Sequence, residues 1–258
     1  MSNDLKRYNL FGWDYSHVNH LGEKEITWYK NYAQKTGGPV LELAFGTGRL
    51  LVELAQSGFE AVGLDISPTM LEISSGNVSK LPSETKSRIT LLKQNITKFD
   101  LGRQFGLIYI ADNSFRELSS KEAQLSCVRS VYNHLAPSGL FSLTVRRFDF
   151  SSFVDGKLVT PWSEPLIDPS TGNKARRQVE FTLSENNTKL CGIYHYETID
   201  SAGRQSFEDC FFVSPLLQKE GYLSLFNESG LAPNLFIDYS EQPDDGLGSP
   251  LCFVCKKR

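Results

Sequence analysis

The feature that most constrains this chain is a glycine turn between a buried strand and a helix, in residues 39–50. The run Pro39-Val-Leu-Glu-Leu-Ala-Phe-Gly-Thr-Gly-Arg-Leu50 leads four strand-like residues into Gly46 and Gly48, and leucines then recur at helical spacing. Glycine lets the backbone come close to a ligand, and the helix that follows points its first N–H groups there. We therefore predict a ligand-binding turn in an α/β fold.

Strands and helices alternate over the next hundred residues. Strand-like segments are predicted at 60–65, 89–92, 105–110 and 140–145, with helical patterns between them. Such alternation predicts a parallel sheet with helices on both faces and right-handed crossovers. Ligands of open α/β sheets bind beyond the carboxyl ends of the strands, where the strand order reverses. The site is therefore expected at that edge.

The pattern changes after Phe148. Segments 178–183, 191–199 and 205–213 alternate in hydrophobicity between turn clusters, which predicts an inserted antiparallel β subdomain. A helix near 216–230 and strands near 234–239 and 251–254 then resume the α/β pattern. We predict four regions: an N-terminal helical cap at 1–36, a ligand-binding α/β core at 37–148, the inserted subdomain at 149–214, and the C-terminal part of the core at 215–258.

Charge and composition disfavour several classes of function. The 258-residue chain has a net charge of −3, which gives no basic surface for nucleic acid or an anionic membrane. No apolar stretch approaches the roughly 18 residues of a membrane span. The five cysteines are scattered, and Cys252 and Cys255 lie in a strand-like run, where residues three apart point to opposite faces. We predict a cytoplasmic monomer or homodimer with reduced thiols, no metal site, and no nucleic-acid or membrane partner.

The residues around the turn restrict the chemical class of ligand that it can bind. Asp65 ends the second predicted strand, 19 residues after Gly46, and a carboxylate there accepts the hydroxyls of a ribose. Leu51 stands where a dinucleotide fingerprint has its third glycine. Glu42, just before the turn, repels a pyrophosphate but can hold an ammonium group. These residues indicate a nucleoside that carries an amino-acid tail.

The same stretches carry a resemblance to a known family. Residues 40–49 resemble motif I of class I S-adenosylmethionine-dependent methyltransferases, 63–71 their second motif, 92–100 their adenine-binding segment, and 135–141 the turn before strand five. Beyond Phe148 the chain is similar to the small-molecule branch, which includes amino-sugar N-methyltransferases. The resemblance implies a Rossmann-like class I methyltransferase sheet, S-adenosyl-L-methionine as the cofactor and a small-molecule methyl acceptor.

The resemblance also implies roles for single residues. Glu42 and the turn would hold the methionine moiety, Asp65 the ribose, and Ile66 or Met70 the adenine ring, with Asn95 accepting from the adenine amine. Ala44, where glycine is common, is tolerable if its φ stays negative. The predicted cofactor-binding residues are Trp13, Tyr15, Glu42, Ala44, Phe45, Gly46, Gly48, Arg49, Asp65, Ile66, Met70, Asn95, Ile96, Ala111 and Asn113.

Methyl transfer is an in-line displacement that depends on alignment of the acceptor, with a base needed only if the nucleophile is protonated. The candidate bases are Asp112 and Glu117, after the fourth strand, and His195, on a meander strand. In the amino-sugar relatives a histidine stands at about the place of Glu117, so this role does not carry over directly.

The predicted function is methyl transfer to N or O of a small metabolite. One alternative is a protein that binds S-adenosylmethionine without transferring a methyl group. A nicotinamide-dependent oxidoreductase is the other alternative, and the missing third glycine and Glu42 disfavour it.

Overall fold

The computed structural model describes residues 3–12, 22–168, 171–184 and 186–258. These fall into two compact units. The larger unit comprises residues 21–148 and 217–258, and the smaller comprises the described parts of 1–20 and 149–216. The predicted cap at 1–36 is thus divided between them.

The secondary-structure elements follow one another in this order. The helices are α1 (Asn3–Phe11), α2 (Glu23–Thr36), α3 (Arg49–Gln56), α4 (Pro68–Ser79), α5 (Ser83–Lys86), α6 (Lys121–His134) and α7 (Lys219–Glu228). The strands are β1 (Val40–Leu43), β2 (Ala61–Asp65), β3 (Ile89–Lys93), β4 (Phe105–Ile110), β5 (Leu135–Val145), β6 (Lys157–Val159), β7 (Leu166–Ile167), β8 (Lys174–Leu183), β9 (Lys189–Ile199), β10 (Gln205–Pro215), β11 (Leu231–Ile237) and β12 (Leu251–Lys257). No helix in this described part of the chain is both long and apolar enough to cross a membrane.

The large unit is built on a sheet that, over the described residues, has seven strands in the order β11-β12-β5-β4-β1-β2-β3. The first five strands along the chain pair in parallel, whereas β12 runs antiparallel to both β5 and β11. From β1 the chain proceeds to β2 and β3 on one side, and β4 and β5 lie on the other. The strand order therefore reverses beside β1, where an open α/β sheet binds its ligand.

Burial explains why the central strands were predictable. Every residue of β1 and β4 is buried, as expected for strands covered on both faces. On α2, Trp28 and Tyr29 pack against the sheet and reach β5 with their polar ends. Trp28 Nε1 donates to Ser142 Oγ at 3.2 Å, and the Tyr29 hydroxyl lies 2.9 Å from Thr144 Oγ1. These contacts fix α2 against β5.

The start of β5 differs from the expected turn at Pro137-Ser-Gly139. The strand begins at Leu135, directly after α6, and its pairing with β4 shifts register between Phe105 and Leu107. A Cβ atom at Gly139 would lie 2.8 Å from the carbonyl oxygen of Phe105. A glycine is therefore needed at position 139, because the backbones of the two strands approach each other closely there.

The small unit contains an antiparallel sheet in the order β10-β9-β8-β6, with β7 paired to β8. This confirms the predicted antiparallel meander. One face is covered by α1: the Phe11 ring stacks on Tyr196 with 3.7 Å between centroids, and the Arg7 guanidinium lies 3.7 Å from the ring centroid of Tyr194.

Candidate functional site

The turn after β1 uses left-handed backbone conformations. Ala44, Gly46 and Gly48 have φ values of 57°, 58° and 79°. The N–H groups of Ala44 and Phe45 both donate to the carbonyl oxygen of Leu64, at 2.7 and 3.3 Å. The expectation of a negative φ at Ala44 is therefore wrong, because these hydrogen bonds to β2 hold the alanine in a conformation that costs about 1–2 kcal/mol.

Phe45 supports the turn from inside the protein. Its side chain is buried, and its ring lies against Gly63 of β2. A Cβ atom at Gly63 would come within 2.6 Å of the Phe45 ring and 2.9 Å of Leu51. The side chain of Phe45 is thus occupied by packing, and its predicted part in cofactor binding rests on its backbone.

Because this contact is tight, Gly63→Ala should lower the free energy of unfolding by about 1–3 kcal/mol, the usual cost of overpacking. The matched control is Gly76→Ala on α4, where an added Cβ meets no atom within 4 Å. That control should be neutral or stabilising by up to about 1 kcal/mol. Urea denaturation measures both, and equal effects of the two substitutions would contradict the packing argument.

Asp65 connects the turn to the helix after β2. Its carboxylate is buried, with Oδ2 accepting from Gly46 N at 2.9 Å and Oδ1 accepting from Ser67 N at 2.9 Å. Burial raises the pKa of Asp65, while these backbone N–H groups lower it. Each oxygen has a second lone pair, so both can still accept a hydroxyl hydrogen. The predicted ribose contact stays a prediction.

Glu42 is a buried acid in the central strand. Only 4% of it is exposed, and its Oε2 accepts from the Tyr109 hydroxyl at 3.1 Å. Burial raises the pKa of the Glu42 carboxyl to about 8, although the Tyr109 hydroxyl acts in the opposite direction. A carboxyl buried in this way is set to ionise when a cation is bound beside it.

Arg49 supplies the opposite charge at the first residue of α3. Its Nη1 atom is buried and has no hydrogen-bond partner among the residues that the structure describes. Burial lowers the pKa of Arg49, and the nearby carboxyls of Asp112, Glu25 and Glu42 raise it. A buried guanidinium with an unused donor is suited to a carboxylate. Together, Glu42 and Arg49 can receive the two ends of an amino acid.

The loop after β4 is strained at two consecutive residues. Asp112 and Asn113 have φ values of 47° and 62°, and strained backbone of this kind is concentrated at functional sites. Asn113 Oδ1 accepts from Arg146 N at 2.7 Å, and Asp112 Oδ1 lies 3.7 Å from Arg146 Nη2. Burial raises the pKa of Asp112, which the charges of Arg146 and Arg49 lower. Glu117 ends the 3₁₀ helix that follows and is exposed.

The residues predicted to contact adenine differ in their exposure and in whether they have a free hydrogen-bond acceptor. Asn95 Oδ1 already accepts from Thr97 N at 2.9 Å and from Thr97 Oγ1 at 2.8 Å, so both of its lone pairs are used. The expected hydrogen bond from an adenine amine to this oxygen is therefore not favoured. Ile96 and Met70 are buried, whereas Ile66 is 36% exposed beyond the end of β2. Ile66 is thus the better placed to cover a ring.

His195 lies in the small unit. Its Nδ1 atom is 2.8 Å from Asp209 Oδ1, the residue opposite it on β10. Because neighbours along a strand point to opposite faces, His195 lies on the face away from Tyr194 and Tyr196, which α1 covers. Its catalytic role stays a prediction. Two predicted cofactor residues, Trp13 and Tyr15, lie outside the described residues.

Sequence reasoning missed several polar residues of this site. Tyr109 on β4, Tyr239 after β11 and Glu25 on α2 all influence charged groups at this edge of the sheet. A signal was present for Glu25: it is an acid in the first turn of a helix whose other buried residues are apolar or aromatic.

Comparison with known proteins finds similarity to methyltransferases. A family model described as a methyltransferase domain matches residues 40–139. A putative methyltransferase of Bacillus subtilis (strain 168), YqeM, is 34% identical over 111 residues, which are 42% of this chain and 42% of that protein. The similarity thus spans less than half the length of this relative.

Longer similarities are weaker in sequence. The dTDP-3-amino-3,4,6-trideoxy-alpha-D-glucopyranose N,N-dimethyltransferase of Streptomyces venezuelae is 25% identical over 209 residues, 81% of this chain and 80% of that protein. The solved CcbJ methyltransferase of Streptomyces caelestis superposes with a TM-score of 0.79 at 18% identity and covers 98% of each chain. Similar structures include methyltransferases with S-adenosylmethionine bound. The predicted fold, an α/β methyltransferase sheet with a separate antiparallel sheet, is confirmed.

Proposed function

We propose that this chain, which carries a methyltransferase domain at residues 40–139, transfers the methyl group of S-adenosyl-L-methionine to a nitrogen of a small molecule. The observation that supports this best is the charge pattern at the end of β1. An acid and a guanidinium, Glu42 and Arg49, are both partly or fully buried beside the ribose-binding candidate Asp65. This is the complement of an amino acid joined to a nucleoside.

The residues present fit that cofactor. Glu42 would hold the ammonium group, and the unused Nη1 donor of Arg49 would bind the carboxylate. Asp65 would accept from the ribose, and Ile66 would cover the adenine. When bound, S-adenosyl-L-methionine supplies a methyl group on a sulfonium, which is reactive without further activation.

The chain would then contribute alignment and exclusion of water. Holding a nucleophile roughly 3–3.5 Å from the methyl carbon, in line with the leaving sulfur, lowers the barrier by several kcal/mol. The loop at Ala111–Asn113 follows β4 at the same edge of the sheet as the glycine turn, so we expect it to lie near the reacting atoms. Nitrogen as the acceptor atom is supported by the name of the Streptomyces venezuelae relative, an N,N-dimethyltransferase.

Other properties are part of the same proposal. A free metabolite fits a chain with a net charge of −3 better than a nucleic acid does. The five cysteines are free, as expected in the reducing cytoplasm. A protein that only binds the cofactor is the second candidate, and detection of a methylated product distinguishes the two.

Ligand-induced stabilisation tests the cofactor assignment. With S-adenosylhomocysteine at about 100 times its Kd, the free energy of unfolding should rise by roughly 2.7 kcal/mol, because the ligand binds only the folded state. NADH serves as the control for the oxidoreductase alternative and should produce no shift. A shift with NADH but none with millimolar S-adenosylhomocysteine would overturn the proposal.

A further inference from the structure

Glu25 is a buried acid that the cofactor assignment leaves unused. It lies in the first turn of α2 and is 8% exposed. Its Oε1 atom is buried and has no hydrogen-bond partner within the described part of the chain. Since buried polar atoms are nearly always hydrogen-bonded, an orphaned carboxylate oxygen points to a partner beyond the described residues, and a bound ligand is one such partner.

Tyr239 lies beside Glu25. The Tyr239 hydroxyl lies close enough to the Glu25 carboxyl to lower its pKa against the larger effect of burial, and Thr144 of β5 acts on this hydroxyl in turn. The backbone of Tyr239 is left-handed, with φ 52°, and so is that of the preceding Asp238. Two consecutive non-glycine residues in this conformation cost about 1–3 kcal/mol each and persist only where the surroundings enforce them. The strain is consistent with a tyrosine positioned for function.

The charges around Glu25 belong to the edge of the sheet where methyl transfer is proposed. Burial raises the pKa of Glu25 and the Tyr239 hydroxyl lowers it, while Asp112 raises it and Arg49 and Arg146 lower it. Asp112 follows β4, Arg146 follows β5, and Arg49 follows the glycine turn after β1. Glu25 therefore interacts electrostatically with the same charged groups that surround the predicted site of the methionine moiety.

Among the described residues, the charged groups near Glu25 leave one carboxyl in excess. Three carboxyls, those of Glu25, Glu42 and Asp112, face two guanidiniums, those of Arg49 and Arg146. Asp112 lies 3.7 Å from Arg146. The proposed cofactor satisfies Glu42 with its ammonium group and Arg49 with its carboxylate. The sulfonium of the cofactor would supply the remaining positive charge, but it carries no N–H or O–H group. The unpartnered Oε1 atom of Glu25 would therefore still need a hydrogen-bond donor, which the ammonium group of an acceptor supplies.

We propose that Glu25, positioned by Tyr239, binds the ammonium group of the methyl acceptor and takes up its proton. This inference rests on the proposed function. In the step, an N–H bond of the acceptor breaks and its proton passes to the Glu25 carboxylate. The freed nitrogen lone pair forms a bond to the methyl carbon, the carbon–sulfur bond breaks, and its electron pair stays on sulfur. Water later removes the proton from Glu25.

Sinefungin tests this assignment without knowledge of the acceptor, because in it a carbon that bears a primary amine replaces the methylated sulfur. Its amine therefore lies where the transferred methyl group and the acceptor nitrogen meet. Glu25→Gln should weaken sinefungin binding tenfold or more and leave the Kd of S-adenosylhomocysteine within about twofold. Calorimetric titration of each variant with both ligands gives the four constants needed.

Two further variants complete the design. Glu23→Gln removes an exposed acid from the same helical turn and should change neither constant. Tyr239→Phe keeps Glu25 but removes its hydroxyl partner, and should weaken sinefungin binding by a smaller factor, again without affecting S-adenosylhomocysteine. Thermal melting of each variant confirms that it is folded.

The outcomes separate this inference from the proposed function. An equal loss of affinity for both ligands in Glu25→Gln would assign Glu25 to the amino-acid tail or to the fold, and would overturn the inference. Unchanged affinity for both would overturn it as well. If the wild-type protein itself failed to bind S-adenosylhomocysteine, the proposed function would fall, and this inference with it.

Discussion

Replacement of Asp65 by alanine is expected to weaken S-adenosylhomocysteine binding about 100-fold and to lower the free energy of unfolding by roughly 2–4 kcal/mol. The carboxylate accepts from the N–H groups of Gly46 and Ser67, both at 2.9 Å. Its removal leaves two backbone donors without partners, and a charged acceptor contributes more to each bond than a neutral one. The glycine turn loses its anchor, and the ribose loses its proposed acceptor, in the same substitution.

Ser67→Ala is the matched control for this substitution. It removes the helix cap, in which Ser67 Oγ accepts from Met70 N at 3.3 Å, and should cost about 1 kcal/mol of stability. Its Kd for S-adenosylhomocysteine should stay within about twofold of the wild type, because the turn at Gly46 keeps its anchor. Urea denaturation gives the stabilities, and calorimetric titration gives the affinities. A destabilised Asp65→Ala variant with unchanged affinity would show that Asp65 only supports the fold.

The hydrophobic pattern predicted the centre of the sheet but not its far edge. β1 and β4 are buried along their whole length, so their apolar runs are unambiguous. The antiparallel direction of β12 could not be predicted from the hydrophobic pattern. It depends on the long connection from β11 and on pairing with β5, and an apolar run carries no information about strand direction. In α1 the buried Phe11 stacks on Tyr196, which lies 185 residues later in the chain (196 − 11), so the sequence around α1 alone does not show what this helix packs against.

In the site, too, some features follow from neighbouring residues in the sequence, whereas others depend on residues that are distant in the chain. The acid at the end of β2 was predictable because its role follows from its position in the chain. The φ of Ala44 was not, because it is set by hydrogen bonds to the Leu64 carbonyl on another strand. At Asn95 a local signal existed: asparagine side chains often bond to the backbone two residues on, and Thr97 supplies both donors here. That turn competes with the expected adenine contact.

Glu42→Gln is expected to stabilise the ligand-free protein above pH 8 by roughly 4–5 kcal/mol, and to weaken S-adenosylhomocysteine binding tenfold or more. In the folded protein burial raises the pKa of Glu42 from 4.5 to about 8. Between these two values the folded state keeps a proton that the unfolded state has released. The stability of the wild type is therefore complete below pH 4.5 and falls as the pH rises to 8. Glutamine has no such titration.

The measurement is a series of urea denaturations from pH 5 to pH 9. The difference between Glu42→Gln and the wild type should grow by up to about 1.4 kcal/mol per pH unit and level off above pH 8. Glu72→Gln, which removes an exposed acid from α4, is the control and should follow the wild-type curve. Parallel curves for the wild type and Glu42→Gln would show that Glu42 is not held protonated in the folded protein.

The same titration makes a prediction for the bound state. If the ligand ammonium lies against Glu42, its charge lowers the pKa of this carboxyl, and binding at pH 7 must release the proton that burial had retained. Calorimetric titrations in buffers of different ionisation enthalpy count the released protons. The wild type should release close to one more proton per bound S-adenosylhomocysteine than Glu42→Gln does. Equal proton release would place the ammonium elsewhere. Glu42 would thus bind the cofactor and also destabilise the ligand-free protein. Its replacement by glutamine would therefore raise the stability of the protein and lower its affinity for the ligand.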